Sequence, residues 1–258
     1  TMIYPSEGFE PDKTMHALKS ESCTAVHGVP TMFSAMLASS EFNGKPIKSL
    51  RTGIMAGSQC PEVLMRRVLY DLGCSEITIA YGMTETSPIS FQLDVNDPVD
   101  VRVSTVGRIQ PHCEVKIVED DGSTCAVGQT GELWTKGYLV MKGYWNDTEA
   151  TQSSIENGWM KTGDLATIDN EGFCRIVGRK KDMVIRGGEN IYPAELEEFL
   201  TAQKGILEAH VFGIPDEKFG EQPVAWIIAE EGATLDEISV QNLCKNALAY
   251  YKVPAIVR

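Results

Sequence analysis

The chain has 258 residues and is 43% hydrophobic, enough to bury a sizeable core, and its length admits one or two domains. Its 23 basic and 36 acidic side chains leave a formal net charge of −13, which speaks against a nucleic-acid surface and against docking on an anionic membrane. These residues contain no apolar run long enough for a transmembrane segment and no pattern of a signal peptide.

In chain order, Pro11 to Leu37 reads as helical in pieces, and Leu50 to Ala56 as a strand feeding the turn AGSQCP. Pro61 then opens a helix through Val63, Leu64, Val68 and Leu69, and Ile77 to Ala80 form a short apolar strand ending at Tyr81. This alternation predicts a mostly parallel α/β layer, with ligands at the carboxyl ends of its strands. From about Val101 to Phe173 the texture changes to short strands and turns, EVKIVEDDGS, GELWTKG and GFCRIVG, which predict a small antiparallel, barrel-like β-rich subdomain at about 101–178.

A third texture follows Lys181. The apolar run Met183, Val184, Ile185, with two β-branched residues, suits a strand, Gly187-Gly188 gives backbone freedom beyond it, and Pro193 fits the first turn of a helix, PAELEEFLTA. Strands LEAHVFGI and PVAWIIA and a helix near Leu235 to Tyr250 complete an α+β arrangement. A domain boundary is placed at Arg179 to Asp182, giving domains 1–180 and 181–258, without internal repeat or low-complexity segment.

The seven cysteines are scattered, odd in number and contain no C-x-x-C pair, which favours free thiols over a zinc site or a disulfide framework. The four histidines are equally dispersed and receive no chemistry. Arg179, Lys180, Lys181 and Arg186 form the one dense basic cluster.

Four segments, in this order and at these separations, resemble the adenylate-forming superfamily of acyl-CoA synthetases, luciferases and peptide-synthetase adenylation domains. They are AGSQCP from Ala56, YGMTETSP from Tyr81, KTGDLATIDNEGF from Lys161 and GRKKDMVIRGGENIYPAELE from Gly178. The last of these, with VFGIPDEKFGEQPVAWI from Val211, is most similar to fatty-acid CoA synthetases of the medium-chain mitochondrial branch.

The resemblance implies the fold of the adenylate-forming enzymes: part of a large α/β domain with its β-rich subdomain, then a small mobile α+β domain. It implies ATP and CoA as cosubstrates, Mg2+ as the metal, and a fatty acid as substrate, giving acyl-CoA, AMP and pyrophosphate through an acyl-adenylate. Position by position, Gly57 and Ser58 match the backbone facing adenine, Tyr81 the ring stacked on it, and Gly82 and Met83 its nucleotide-binding neighbours. Thr84 and Glu85 match the groups that meet the phosphates and Mg2+, a cation that takes a few oxygen ligands beside substrate phosphates. Asp164 matches the carboxylate that accepts the ribose hydroxyls, and Arg179 a second ribose or phosphate contact. Lys181 matches the hinge about which the small domain turns between half-reactions. Gly187, Gly188 and Glu189 match the loop lining the CoA channel.

Two parts of the family pattern are missing from these residues: the Gly-, Ser- and Thr-rich phosphate loop, and the Gly-Lys motif whose lysine contacts the carboxylate and α-phosphate. Lys252 in YKVP does not take that lysine's place. The expectation is a fragment of a longer enzyme, inactive alone. Two alternatives stay open: adenylation of an aryl, amino or luciferin acid, and a truncated module without catalysis. The resemblance implies the mitochondrial matrix, with the cytoplasm as alternative, and no heptad pattern reveals an oligomeric state.

Overall fold

A computed structural model describes residues 1–258, which form two compact units: Thr1–Thr162 with Thr167–Ile176, and Gly163–Ala166 with Val177–Arg258. In the first unit, α1 (Pro11–Ser20) starts on a proline suited to a first helical turn and buries Met15 and Leu18. A short strand follows, β1 (Ala25–Gly28), and then α2 (Pro30–Ala38). The strand lies inside the region that reads as helical pieces. Four residues are too few to display a period, and β1 is defined by its parallel partner β2 (Thr52–Met55), in the register Val26 to Gly53.

α3 (Glu62–Tyr70) follows Pro61 and buries Leu64, Met65, Val68 and Leu69, a stripe on one face in which each side chain contributes about 1.5–3 kcal/mol. β3 (Glu76–Gly82) runs parallel to β2, and its residues 77–80 are all buried, as befits a strand covered on both faces. β4 (Ile89–Gln92) then pairs antiparallel with β3, so the layer is parallel only across its first three strands.

α4 (Val99–Ser104) places Val103 in the same core as Phe33, Met36, Met55, Met65 and Ile77, with Val99 and Val101 packed against it. β5 (Arg108–Ile109) pairs antiparallel with β4 and closes this sheet. The β-rich texture expected from Val101 therefore begins only at Cys113. The alternating valines Val99, Val101 and Val103 mimic a strand's period, but Pro98 at the helix start and burial in this core produce a short helix.

The second sheet comprises β6 (Cys113–Val118), β7 (Gly131–Gly137), the short β8 (Ile155–Glu156) preceded by α5 (Thr148–Ser154), β9 (Trp159–Ile168) and β10 (Cys174–Arg179). Its open order is β10-β9-β7-β6, with β8 on β9. Lys116 lies 4.5 Å from the Trp134 ring and 4.7 Å from the Trp159 ring, so one face is closed by cation–aromatic packing. The division between the units passes through β9 and β10.

In the second unit, β11 (Val184–Arg186) and β12 (Glu189–Ile191) form a hairpin, and α6 (Pro193–Thr201) follows directly. The long antiparallel pair β13 (Ile206–Asp216) and β14 (Gly220–Ala229) forms the centre of its sheet. α7 (Glu237–Ala247) is capped by Asp236, whose side chain accepts from the Ser239 amide, and β15 (Ile256–Val257) adds to β14 in parallel. Val184, Ile191, Leu196, Leu200, Val211 and Ala225 build a core of its own.

Candidate functional site

The first unit collects its candidate residues after two adjacent parallel strands. Gly57 and Ser58 lie in the bend beyond β2, and Tyr81 to Thr86 at the end of β3, where ligands of α/β sheets gather. Tyr81 is half-buried and makes an edge contact with Phe91 across the β3–β4 pair, at 6.1 Å between ring centres. The ladder shifts register between Tyr81 and Gly82. A methyl group on Gly82 would stand 1.7 Å from the Pro88 carbonyl oxygen, so any side chain there would have to push the returning β4 backbone aside.

Thr84–Thr86 is a single tight turn. Its cap is Thr86, not Thr84: the buried Thr86 hydroxyl accepts from the Met83 amide at 3.2 Å and donates to the Met83 carbonyl at 3.1 Å. Thr84 is left exposed. The half-buried Glu85 carboxylate accepts the Tyr144 hydroxyl at 2.8 Å, and the Glu85 carbonyl accepts the Met141 amide at 2.8 Å. This hydrogen bond, with burial second, raises the Tyr144 hydroxyl above its ordinary pKa. Tyr144 was not among the residues expected from sequence.

No group of three or more His, Cys, Asp and Glu side chains could hold a metal ion. Glu85 suits Mg2+ in the other way open to it, as one carboxylate beside substrate phosphates and water. Its Oε1 accepts the Tyr144 hydroxyl.

The second unit brings Asp164 and Arg179 together: Arg179 Nε lies 3.5 Å from Asp164 Oδ1, with the aspartate side chain 15% exposed. Lys181 sits exposed in the tight turn Lys180–Asp182. Gly187 and Gly188 are the two central residues of the β11–β12 hairpin, at φ 61° and 89°, flanked by the pair Arg186 and Glu189. Left-handed backbone at both positions is the geometry of a type I′ turn, which matches the twist of the strands it joins. The Gly187 amide donates to the Phe219 carbonyl at 2.7 Å, and the Arg186 guanidinium lies 5.0 Å from the Phe219 ring. Arg186 Nη1 also donates to the Tyr251 carbonyl at 2.7 Å, so this member of the basic cluster ties the hairpin to the segment before β15. Lys252 is committed elsewhere, its Nζ 2.6 and 2.7 Å from the two Glu195 oxygens.

The AMP-binding enzyme family matches residues 1–145, more than half of the chain, and the C-terminal domain of AMP-binding enzymes matches residues 195–258. The chain belongs to the AMP-binding enzyme family. The putative acyl-CoA synthetase YngI of Bacillus subtilis is 48% identical over 99% of this chain and 47% of its own length. The mitochondrial medium-chain acyl-CoA ligase ACSF2 of Danio rerio is 43% identical over 100% of this chain and 43% of its own. A solved structure, the o-succinylbenzoate CoA synthetase MenE of Bacillus subtilis in complex with its acyl-adenylate intermediate, superposes with a TM-score of 0.83 at 34% identity, covering 97% of this chain and 50% of that one. The chain thus spans about half the length of the relatives it matches. The adenylate-forming fold expected from the sequence is the fold of these neighbours.

Proposed function

We propose that the protein is an AMP-forming acid–CoA ligase that activates a medium-chain fatty acid. A carboxylate oxygen of the acid attacks the α-phosphorus of ATP and pyrophosphate leaves. The CoA sulfur, its proton lost to solvent, then attacks the acyl carbon and AMP leaves. The observation that carries this reading is the Glu85 turn at the carboxyl end of β3, in a chain 48% identical to the putative acyl-CoA synthetase YngI and 43% identical to the medium-chain acyl-CoA ligase ACSF2.

In this reading Tyr81 stacks on adenine, with Gly57, Ser58, Gly82 and Met83 shaping its slot. Thr84 holds phosphate oxygens, and Glu85 would hold Mg2+, which when bound would supply positive charge beside the phosphates. Asp164 accepts the ribose hydroxyls beside Arg179, Lys181 is the hinge, and the hairpin tip Gly187-Gly188-Glu189 lines the CoA channel. The ACSF2 name supports a medium-chain acid and a mitochondrial location, while the bacterial source of YngI keeps the cytoplasm as the alternative. A second reading, an aryl acid as substrate, is favoured by the likeness to the o-succinylbenzoate enzyme.

The test is carboxylate-dependent ATP–pyrophosphate exchange by the full-length protein with acetate, octanoate, palmitate, benzoate and amino acids, followed by CoA and detection of the thioester. Octanoate should give exchange and thioester, and a preference for benzoate would select the second reading. Lys181→Pro should spare exchange and slow thioester formation. No exchange with any acid would leave a nucleotide-binding module without catalysis.

A further inference from the structure

Glu85 is gripped at two points by one loop. The Met141 amide holds its carbonyl and the Tyr144 hydroxyl holds its carboxylate, each at 2.8 Å. That loop is itself fixed to the start of α5. The Tyr144 amide donates to Thr151 Oγ1 at 2.9 Å, the Thr151 hydroxyl donates to the Asp147 carbonyl at 2.7 Å, and Asp147 Oδ1 accepts from the Ala150 amide at 2.9 Å. A methyl group on Gly143 would come within 2.8 Å of Thr151 Cγ2, so chain and helix meet closely just before Tyr144.

A tyrosine serving only to pack would bury its ring, whereas Tyr144 is 37% exposed and spends its hydroxyl on a carboxylate. A glutamate has three torsions to settle before its oxygens hold a defined place, and anchoring one oxygen fixes where the other points. We propose that Tyr144 is a positioning residue, orienting the Glu85 carboxylate through Oε1 so that Oε2 is presented to the magnesium ion that accompanies ATP. This rests on the reading of Glu85 as the ligand to that ion.

The test is calorimetric titration of full-length protein with ATP, once with Mg2+ and once with EDTA, alongside the thermal midpoint. Tyr144→Phe should weaken binding in Mg2+ roughly 10-fold, as loss of a partner behind a metal ligand does, and leave binding in EDTA and the midpoint unchanged. Replacing Tyr144 with 4-aminophenylalanine, which keeps a donor at the ring tip, should restore most of the loss. Equal weakening with and without Mg2+, or failure of the donor-bearing analogue to rescue, overturns the positioning role. So does an unaffected Tyr144→Phe when Glu85→Gln has lost its Mg2+-dependent affinity. If Glu85→Gln itself binds ATP as the wild type does in both buffers, the reading of Glu85 as the ligand falls instead.

Discussion

Substituting Gly82 by alanine would set a side chain against backbone at the point where β4 returns past β3. The added methyl would lie 1.7 Å from the Pro88 carbonyl oxygen, 2.7 Å from its carbon and 3.0 Å from Ile89 Cα, whereas ordinary contact begins at 3.4 Å. The Pro88 backbone would have to retreat by about 1.7 Å, the difference between the two oxygen distances. That displacement exceeds what the Gly82–Ile89 pairing tolerates, and the opposing atoms are not the end of a flexible side chain. Overpacking costs typically 1–3 kcal/mol, so Gly82→Ala should fall near the upper end, about 3 kcal/mol. For a unit of this size the fall in thermal midpoint is about 6–12 °C. Scanning calorimetry measures it, with Gly188→Ala as the comparison. At Gly188 a methyl meets nothing within 4 Å, and only the left-handed φ of 89° resists it, a penalty of about 1–2 kcal/mol. A Gly82→Ala protein melting within about 2 °C of wild type would refute the steric argument.

Two further outcomes follow from burial. The Glu197 carboxyl is raised above its ordinary value by burial, which outweighs the hydrogen bond it accepts from the Val211 amide at 2.8 Å. The folded state therefore holds this proton more tightly than the unfolded chain, and the group's contribution to stability is full in acid and is lost as pH rises from the ordinary carboxylate range through the raised value. Glu197→Gln keeps the acceptor and removes the titration, so urea midpoints of variant and wild type should diverge in the variant's favour from pH 4 to pH 7, and a constant difference would contradict this. Burial likewise pushes the Cys60, Cys74 and Cys174 thiols up to about 12, so a thiolate-selective reagent at pH 8 should spare all three until the protein unfolds, as peptide mapping by mass spectrometry would read.

Amphipathic spacing made the helix after Pro61 legible, and the apolar run Ile77 to Ala80 made its strand legible, because each sits against a core that rewards one periodicity. β1 was hidden by its length, and β12 by its composition: Glu189, Asn190 and Ile191 carry little strand signal, so the glycine pair reads as a loop before a helix and not as the tip of a hairpin. The motif residues were found through their wording. Their supports were not, because Tyr144 stands 59 residues from Glu85 and Lys252 stands 57 from Glu195. Pairings across such distances are created by sheet topology, and no local period records them.

The small second unit takes four of its residues, Gly163 to Ala166, from the middle of β9 before the chain returns to the first unit and re-enters at Val177. Its inheritance is therefore not a single sequence block. A recombination or engineered exchange that moved everything after Val177 would carry Arg179 into the new protein and leave Asp164 behind. Donor and acceptor of a transplant would then have to agree at position 164 in advance, so successful exchanges of this unit should be confined to parents that share the aspartate in that strand.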